Sequence, residues 1–169
     1  MLEIYCGDGK GKTTASIGLA LRCAGNGMRV HIVQFMKGTK TGEIEALKHI
    51  PEITVSRCDK NYGFVKNMDD SLKKAITDCH NNLLLQAEKI VGEVDMLIFD
   101  EFNSAYEYNL LDRERAKKII IENCKEKEIV LTGRNPSEEF TDIADYLSEI
   151  KAVKHPYDSG VNARKGIEY

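Results

Sequence analysis

Short apolar runs rich in branched residues alternate along this chain with longer stretches in which apolar side chains recur every third or fourth position. Runs of the first kind predict strands over Leu2–Cys6, Met28–Phe35, Ile53–Ser56, Val94–Glu101, Glu128–Thr132 and Leu147–Val153. Their near-continuous apolar character is what strands covered on both faces of a parallel sheet require. Between them, Thr14–Ala24 carries Ile17, Leu21 and Ala24 at helical spacing and runs into Gly25-Asn26-Gly27, a stop signal. A short helix through Ile44, Leu47 and Ile50 ends before Pro51, because a proline disfavours helical backbone in the residue before it. From Met68 to Val91, Leu72, Ile76, Leu83, Leu84, Ala87 and Ile90 trace one long amphipathic helix. Leu111–Cys124 predicts a further helix, and Ser137 is expected to cap one reaching Asp145, while Lys154–Tyr169 has no period. Strand and helix thus alternate throughout, which predicts an α/β fold with a parallel sheet and helices on both faces.

Composition narrows the partners. The 169 residues suffice for a single domain, 1–169, with a proper core. With 24 Lys and Arg against 27 Asp and Glu, the net charge of −3 gives no basic footprint for nucleic acid, so small-molecule partners are expected. Cys6, Cys23, Cys58, Cys79 and Cys124 are odd in number and scattered without a C-x-x-C pair, and are read as reduced thiols rather than a zinc or redox site. No apolar run approaches the ~18 residues of a membrane span and no signal peptide precedes the first strand, so a cytoplasmic protein is expected. His31, inside an apolar strand, is read as structural.

The candidate chemistry begins where the first strand meets the first helix. Gly7-Asp8-Gly9-Lys10-Gly11-Lys12-Thr13-Thr14 reads as a phosphate cradle: glycines let backbone N–H groups converge, and the helix N-terminus adds its positive dipole end. Lys12 can reach outer phosphate oxygens and the Thr13 hydroxyl can ligate Mg²⁺. The spacing is one residue short of the usual pattern, with Cys6 where the first glycine would stand. The strand Val94–Glu101 supplies the expected partner, since Asp100 and Glu101 at its end can hold that Mg²⁺. Together with the alternating elements, this predicts a P-loop NTPase, RecA-like fold that binds a nucleoside triphosphate. Lys37, in a glycine-punctuated loop at a strand's carboxyl end, can meet phosphate or substrate, and Arg134 after Gly133 sits at a comparable place. The irregular stretch Cys58–Asn67 holds Tyr62-Gly63-Phe64 and reads either as a substrate-covering loop or as one anchored by burying Phe64.

Several segments together resemble the P-loop-type ATP:cob(I)alamin (corrinoid) adenosyltransferases over nearly the whole chain. The marks are Gly7 to Thr14 with the same shortened spacing, Val33-Gln34-Phe35-Met36-Lys37-Gly38, Asp100-Glu101-Phe102-Asn103-Ser104-Ala105 with Tyr108, Thr132-Gly133-Arg134, and Val153-Lys154-His155 with Asp158-Ser159-Gly160-Val161. The resemblance implies transfer of the 5′-deoxyadenosyl group of ATP to the Co(I) of a reduced corrinoid, with triphosphate released, in adenosylcobalamin synthesis or salvage. It implies MgATP as adenosyl donor, an electron-donating reductase and a homodimer. It also implies catalytic roles for Lys12, Glu101 and Phe64, nucleotide contacts from Gly7 through Thr14, Lys37, Asn103 and Arg134, and metal contacts from Thr13, Asp100 and Glu101. Two departures stand out. The chain starts almost at its first strand, where family members commonly carry a covering segment, so a more open or differently completed corrinoid pocket is expected. The family tends to Gly-Phe-x-Trp where this chain has Gly63-Phe64-Val65-Lys66 and no tryptophan, so Lys66 cannot take an indole's part. The rival readings are a nucleoside kinase of the thymidine kinase type and an ATP-gated RecA-like or corrinoid-chaperone binding module.

Overall fold

All five residues of Val30–Gln34 (β2) and all five of Met96–Asp100 (β4) are buried, as strands need to be when helices cover both faces. A computed structural model, which describes residues 1–38, 41–63, 65–156 and 160–167, places them side by side. With Leu2–Cys6 (β1), Ile53–Arg57 (β3), Glu128–Thr132 (β5) and Tyr146–Glu149 (β6) they form one six-stranded sheet, ordered β3-β2-β4-β5-β1-β6. Every neighbouring pair is parallel, as a P-loop NTPase-like fold requires.

Alternating residues of these strands feed two cores. Met96 and Ile98 join Val30, Ile32 and Val130 beneath Lys12–Ala24 (α1), through its Ala20, Cys23 and Ala24, and Gly42–Leu47 (α2), through Leu47. On the other face, Leu97 and Phe99 join Leu2, Ile4, Val33, Ile129 and Leu131. Asp70–Ile90 (α3) covers them with Leu83, Leu84 and Ala87, Phe102–Glu107 (α4) with Phe102, and Arg113–Asn123 (α5) with Ala116, Ile119 and Ile120. Each such Val, Leu, Ile, Met or Phe side chain contributes about 1.5–3 kcal/mol when withdrawn from water. The helices start where short polar side chains can accept orphan N–H groups: Asp69 accepts the Leu72 N–H at 2.8 Å and Asp112 the Arg115 N–H at 3.0 Å.

Several boundaries differ from the expectation. Helix α1 begins at Lys12, two residues early, because Gly11 takes the left-handed backbone at its start. The short helix α4 follows β4 at once; a single turn and a half is too brief to show a period in the sequence. Glu138–Thr141 (α6) ends before Asp145, and the Ser137 hydroxyl donates to the Glu139 carboxylate at 3.2 Å instead of capping an N–H. The last strand covers Tyr146–Glu149 and lies exposed at the sheet edge. The cysteines are not all thiols. Cys58, just after β3, and Cys79, on α3, form a disulfide with Cα atoms 6.2 Å apart, a pairing set by tertiary approach that no local spacing announces. Cys6, Cys23 and Cys124 are free. Among the described residues, no helix is long and apolar enough to cross a membrane.

Candidate active site

Because all strands run the same way, the carboxyl ends of β1, β2, β4 and β5 share one edge, and the register sets Gln34 beside Asp100 and Tyr5 beside Thr132. The loop after β1 turns through Gly7 at φ 102° and Gly11 at φ 118°, backbone that disfavours any side chain. Ala15 is the first residue of α1 to donate back into the helix, to the Gly11 carbonyl at 2.8 Å. The N–H groups of Lys12, Thr13 and Thr14 therefore have no intrahelical acceptor and lie at the positive end of a 13-residue helix, an anion site by construction. Two of the loop's glycines do something else. Gly7 donates its N–H to the Arg134 carbonyl at 3.1 Å and Gly9 donates to the Ile150 carbonyl at 2.8 Å. A Cβ on Gly9 would stand 2.7 Å from that same oxygen, so this glycine is demanded by close packing against the chain after β6.

Lys12, only 9 % exposed, turns its ammonium onto the Gly9 carbonyl at 2.7 Å. Burial pushes its pKa down, and Glu101 is the largest opposing influence. The exposed Asp8 accepts the Ala152 N–H at 3.0 Å, which holds its carboxyl below the usual range. Lys10 and Thr14 are exposed beside them. Lys10, Thr13, Thr14 and Lys37 open onto a cleft of about 360 Å³, while Gly7, Asp8 and Arg134 line a wider one of about 700 Å³.

Asp100 is the hub. At 1 % exposure it accepts four hydrogen bonds: from Thr13 Oγ1 at 2.8 Å and Thr132 Oγ1 at 2.7 Å on Oδ1, and from Lys37 Nζ at 2.8 Å and Gln34 Nε2 at 3.1 Å on Oδ2. Burial alone would raise its pKa, but the Lys37 ammonium and the hydroxyl donors more than reverse that, so Asp100 is held as a carboxylate. Lys37 Nζ also donates to Thr13 Oγ1 at 2.9 Å. Glu101 follows at φ 58°, left-handed backbone that costs a non-glycine residue about 1–2 kcal/mol. Its N–H donates to Thr132 Oγ1 at 2.9 Å, and its carboxylate accepts from Ser104 Oγ at 3.3 Å. Asn103 is 2 % exposed, with neither its Oδ1 nor its Nδ2 paired among the described residues, and lies against Gly133.

Lys37 is aimed by its neighbours. Met36 adopts φ 59° and donates its N–H to His80 Nε2 at 3.1 Å, while His80 Nδ1 donates to the Leu110 carbonyl at 2.8 Å. Burial lowers the His80 pKa to about 4, so the ring stays neutral and Nε2 keeps its acceptor lone pair. Gly38 packs against the Lys60 backbone so closely that a Cβ there would overlap it, which brings the Lys37 loop onto the Cys58–Asn67 stretch. Phe64, the aromatic expected to serve substrate, lies outside the described residues, as do Asp158 and Ser159; flanking Tyr62 and Val65 pack on Met68, Ile76 and Leu110.

Lys12, Thr13, Lys37, Asp100 and Glu101, the residues singled out by motif, are gathered by the fold at one edge. Gln34, Thr132 and His80 join them without having been assigned a role from the sequence. A polar residue closing an otherwise apolar strand was the available signal for Gln34 and Thr132; nothing in the sequence marks His80. Among the described residues, no three His, Cys, Asp or Glu side chains converge as a metal cluster. The Thr13 hydroxyl with Asp100 and Glu101 is nonetheless a hard-oxygen set suited to Mg²⁺, which takes few protein ligands and fills its shell with phosphate and water.

The profile of the family described as ATP:corrinoid adenosyltransferase BtuR/CobO/CobP matches residues 1–169. The corrinoid adenosyltransferase of Escherichia coli (strain K12) is 33% identical over 173 residues, covering 100% of this chain and 85% of that protein. Corrinoid adenosyltransferase CobA of Salmonella typhimurium is 33% identical over 171 residues, with 100% and 85% covered. The corrinoid adenosyltransferase of Pseudomonas aeruginosa is 30% identical over 171 residues, with 100% and 83% covered.

Proposed function

The chain belongs to the ATP:corrinoid adenosyltransferase family, and from that premise we propose how the residues gathered at its sheet edge carry out adenosyl transfer. The protein is a corrinoid adenosyltransferase that uses ATP and a corrinoid in adenosylcobalamin synthesis, and neither the nucleoside-kinase nor the binding-module reading is favoured. In the reaction proposed here, an electron pair of Co(I) forms the bond to ribose C5′ while the C5′–O bond breaks and its electrons leave with triphosphate. Co(I) is itself the nucleophile, so no side-chain base is needed; the protein aligns the reactants and meets the charge of the departing group.

The residues on the loop suit that task. The N–H groups opening α1, with Lys12, Lys10 and Arg134, face the triphosphate, and Lys12 exchanges its Gly9 carbonyl for a phosphate oxygen. Thr13, Asp100 and Glu101 hold Mg²⁺, which when bound neutralises charge developing on the leaving oxygens. The family resemblance assigns Phe64 a role toward the corrinoid and Asn103 one toward the nucleotide. The chain works as one domain, 1–169, in a cytoplasmic homodimer served by an electron-donating reductase.

The whole-chain family match carries this reading, and the products test it. Under anaerobic reducing conditions, the protein with MgATP and cobalamin should yield a light-sensitive Co–C5′ adenosyl corrinoid and intact triphosphate in equal amounts. Attack at C5′ leaves all three phosphates joined, whereas a kinase or hydrolase cleaves between them. Corrinoid-independent release of ADP and phosphate, with an unchanged corrinoid spectrum, would refute it.

A further inference from the structure

The ammonium of Lys37 stands where a cation ligated by Thr13 and Asp100 would stand: 2.9 Å from Thr13 Oγ1 and 2.8 Å from Asp100 Oδ2. These are two of the oxygens assigned above to Mg²⁺. Its side chain is 25 % exposed, against 1 % for Asp100, so the lysine reaches in from the cleft and can withdraw, while the carboxylate cannot. Without a cation there, a buried carboxylate would face the cleft with hydrogen-bond donors alone for compensation.

We propose that Lys37 is a resident counter-ion that occupies the metal position in the nucleotide-free protein, is displaced by Mg²⁺ when MgATP arrives, and then swings along the shared cleft to the phosphates. The inference rests on the metal assignment of Thr13 and Asp100. Lys37 lines the same cleft as Lys10, Thr13 and Thr14, so the withdrawn ammonium stays among phosphate-binding groups. The left-handed Met36, pinned by His80, and Gly38, pressed on Lys60, fix the backbone on either side. Movement is therefore confined to the lysine side chain. The exchange keeps one cation against Asp100 at every stage, and gives Mg²⁺ weak purchase until ATP supplies both phosphate ligands and a new anion for the ammonium.

The test uses the nucleotide-free full chain and Mn²⁺, an EPR-visible substitute for Mg²⁺. Lys37→Met should bind Mn²⁺ ~10-fold or more tightly than the parent, the scale of one displaced charge-assisted hydrogen bond. The same variant should bind ATP more weakly in EDTA, where only the ammonium could have met the phosphates. Asp100→Asn or Thr13→Val should abolish the Mn²⁺ site. Equal Mn²⁺ affinity in parent and Lys37→Met, with both losing it on Thr13→Val, would overturn the displacement and leave the metal assignment standing. Mn²⁺ binding indifferent to both Thr13→Val and Asp100→Asn would overturn the metal assignment itself, and the displacement with it. Should Lys37→Met fail to fold, ¹⁵N NMR of lysine Nζ in the parent reads the same event. The Lys37 signal should shift when Mg²⁺ and ATP are added together, and an unmoved signal overturns the proposal.

Discussion

Asp100 and Glu101 are sequence neighbours with opposite surroundings. Asp100 is enclosed by four donors, while Glu101 is half-buried on left-handed backbone, its carboxylate accepting a hydrogen bond from Ser104 Oγ. Replacing Asp100 by Asn sets an NH₂ among donors and leaves Lys37 without its partner. Asp100→Asn should cost about 3 kcal/mol of stability, as when one member of a buried ion pair is removed, and Glu101→Gln under about 1 kcal/mol. Urea denaturation of the two variants checks this. With Glu101 proposed beside Asp100 and Thr13 as a holder of the metal, Glu101→Gln should also raise the Mg²⁺ concentration needed for half-maximal turnover. Unchanged Mg²⁺ dependence in Glu101→Gln would remove Glu101 from the metal's holders and leave Thr13 and Asp100. The acidic pair itself was legible in the sequence as the end of an apolar strand. The difference between its members was not, because the donors come from the start of α1, from β2 and the loop after it, and from β5, tens of residues away.

At the scale of elements, the Cys58–Cys79 disulfide ties the stretch after β3 to α3, 21 positions further along. Closing a loop of that length in the unfolded chain typically stabilises a protein by about 2–4 kcal/mol. Cys58→Ser with Cys79→Ser should lower the stability measured by urea by that amount, and dithiothreitol should do the same to the parent while leaving the double variant unchanged. A parent insensitive to dithiothreitol would show that the bridge does not hold this segment. Strand and helix periods predicted most elements here, because each answers to a core on one or both sides. Helix α4 escaped because six residues are too few to carry a period, and β6 was placed too long because its exposed edge position imposes no apolar pattern on it.

At the scale of the whole molecule, two buried histidines make stability depend on pH. Burial lowers both His31 and His80 from an ordinary 6.5 to about 4; His31 pairs with Thr54 Oγ1 at 2.7 Å and His80 bridges Met36 and Leu110. Between these values the unfolded chain binds protons that the native one refuses, so stability should fall as pH drops from 6.5 to 4, by up to about 3 kcal/mol per histidine. Below about 3.8 the depressed Asp100 pKa adds a further loss as its carboxylate is forced to protonate. Urea midpoints at pH 7, 5 and 4 measure the slope, and a flat profile would contradict native neutrality of both rings.

The sequence by itself determined the alternation of strands and helices, hence a parallel sheet, and the phosphate loop with its acidic strand end. Each of those is a local pattern: apolar periodicity answers to burial, and glycines answer to backbone close to the chain or to an anion. Tertiary structure alone decided that Asp100 would be closed by Thr13, Gln34, Lys37 and Thr132, that His80 would aim the Lys37 loop, and that Cys58 would meet Cys79. Those contacts join residues whose approach depends on strand order and on helices crossing the sheet, and strand order is a property of the packed whole that no stretch of the chain carries alone.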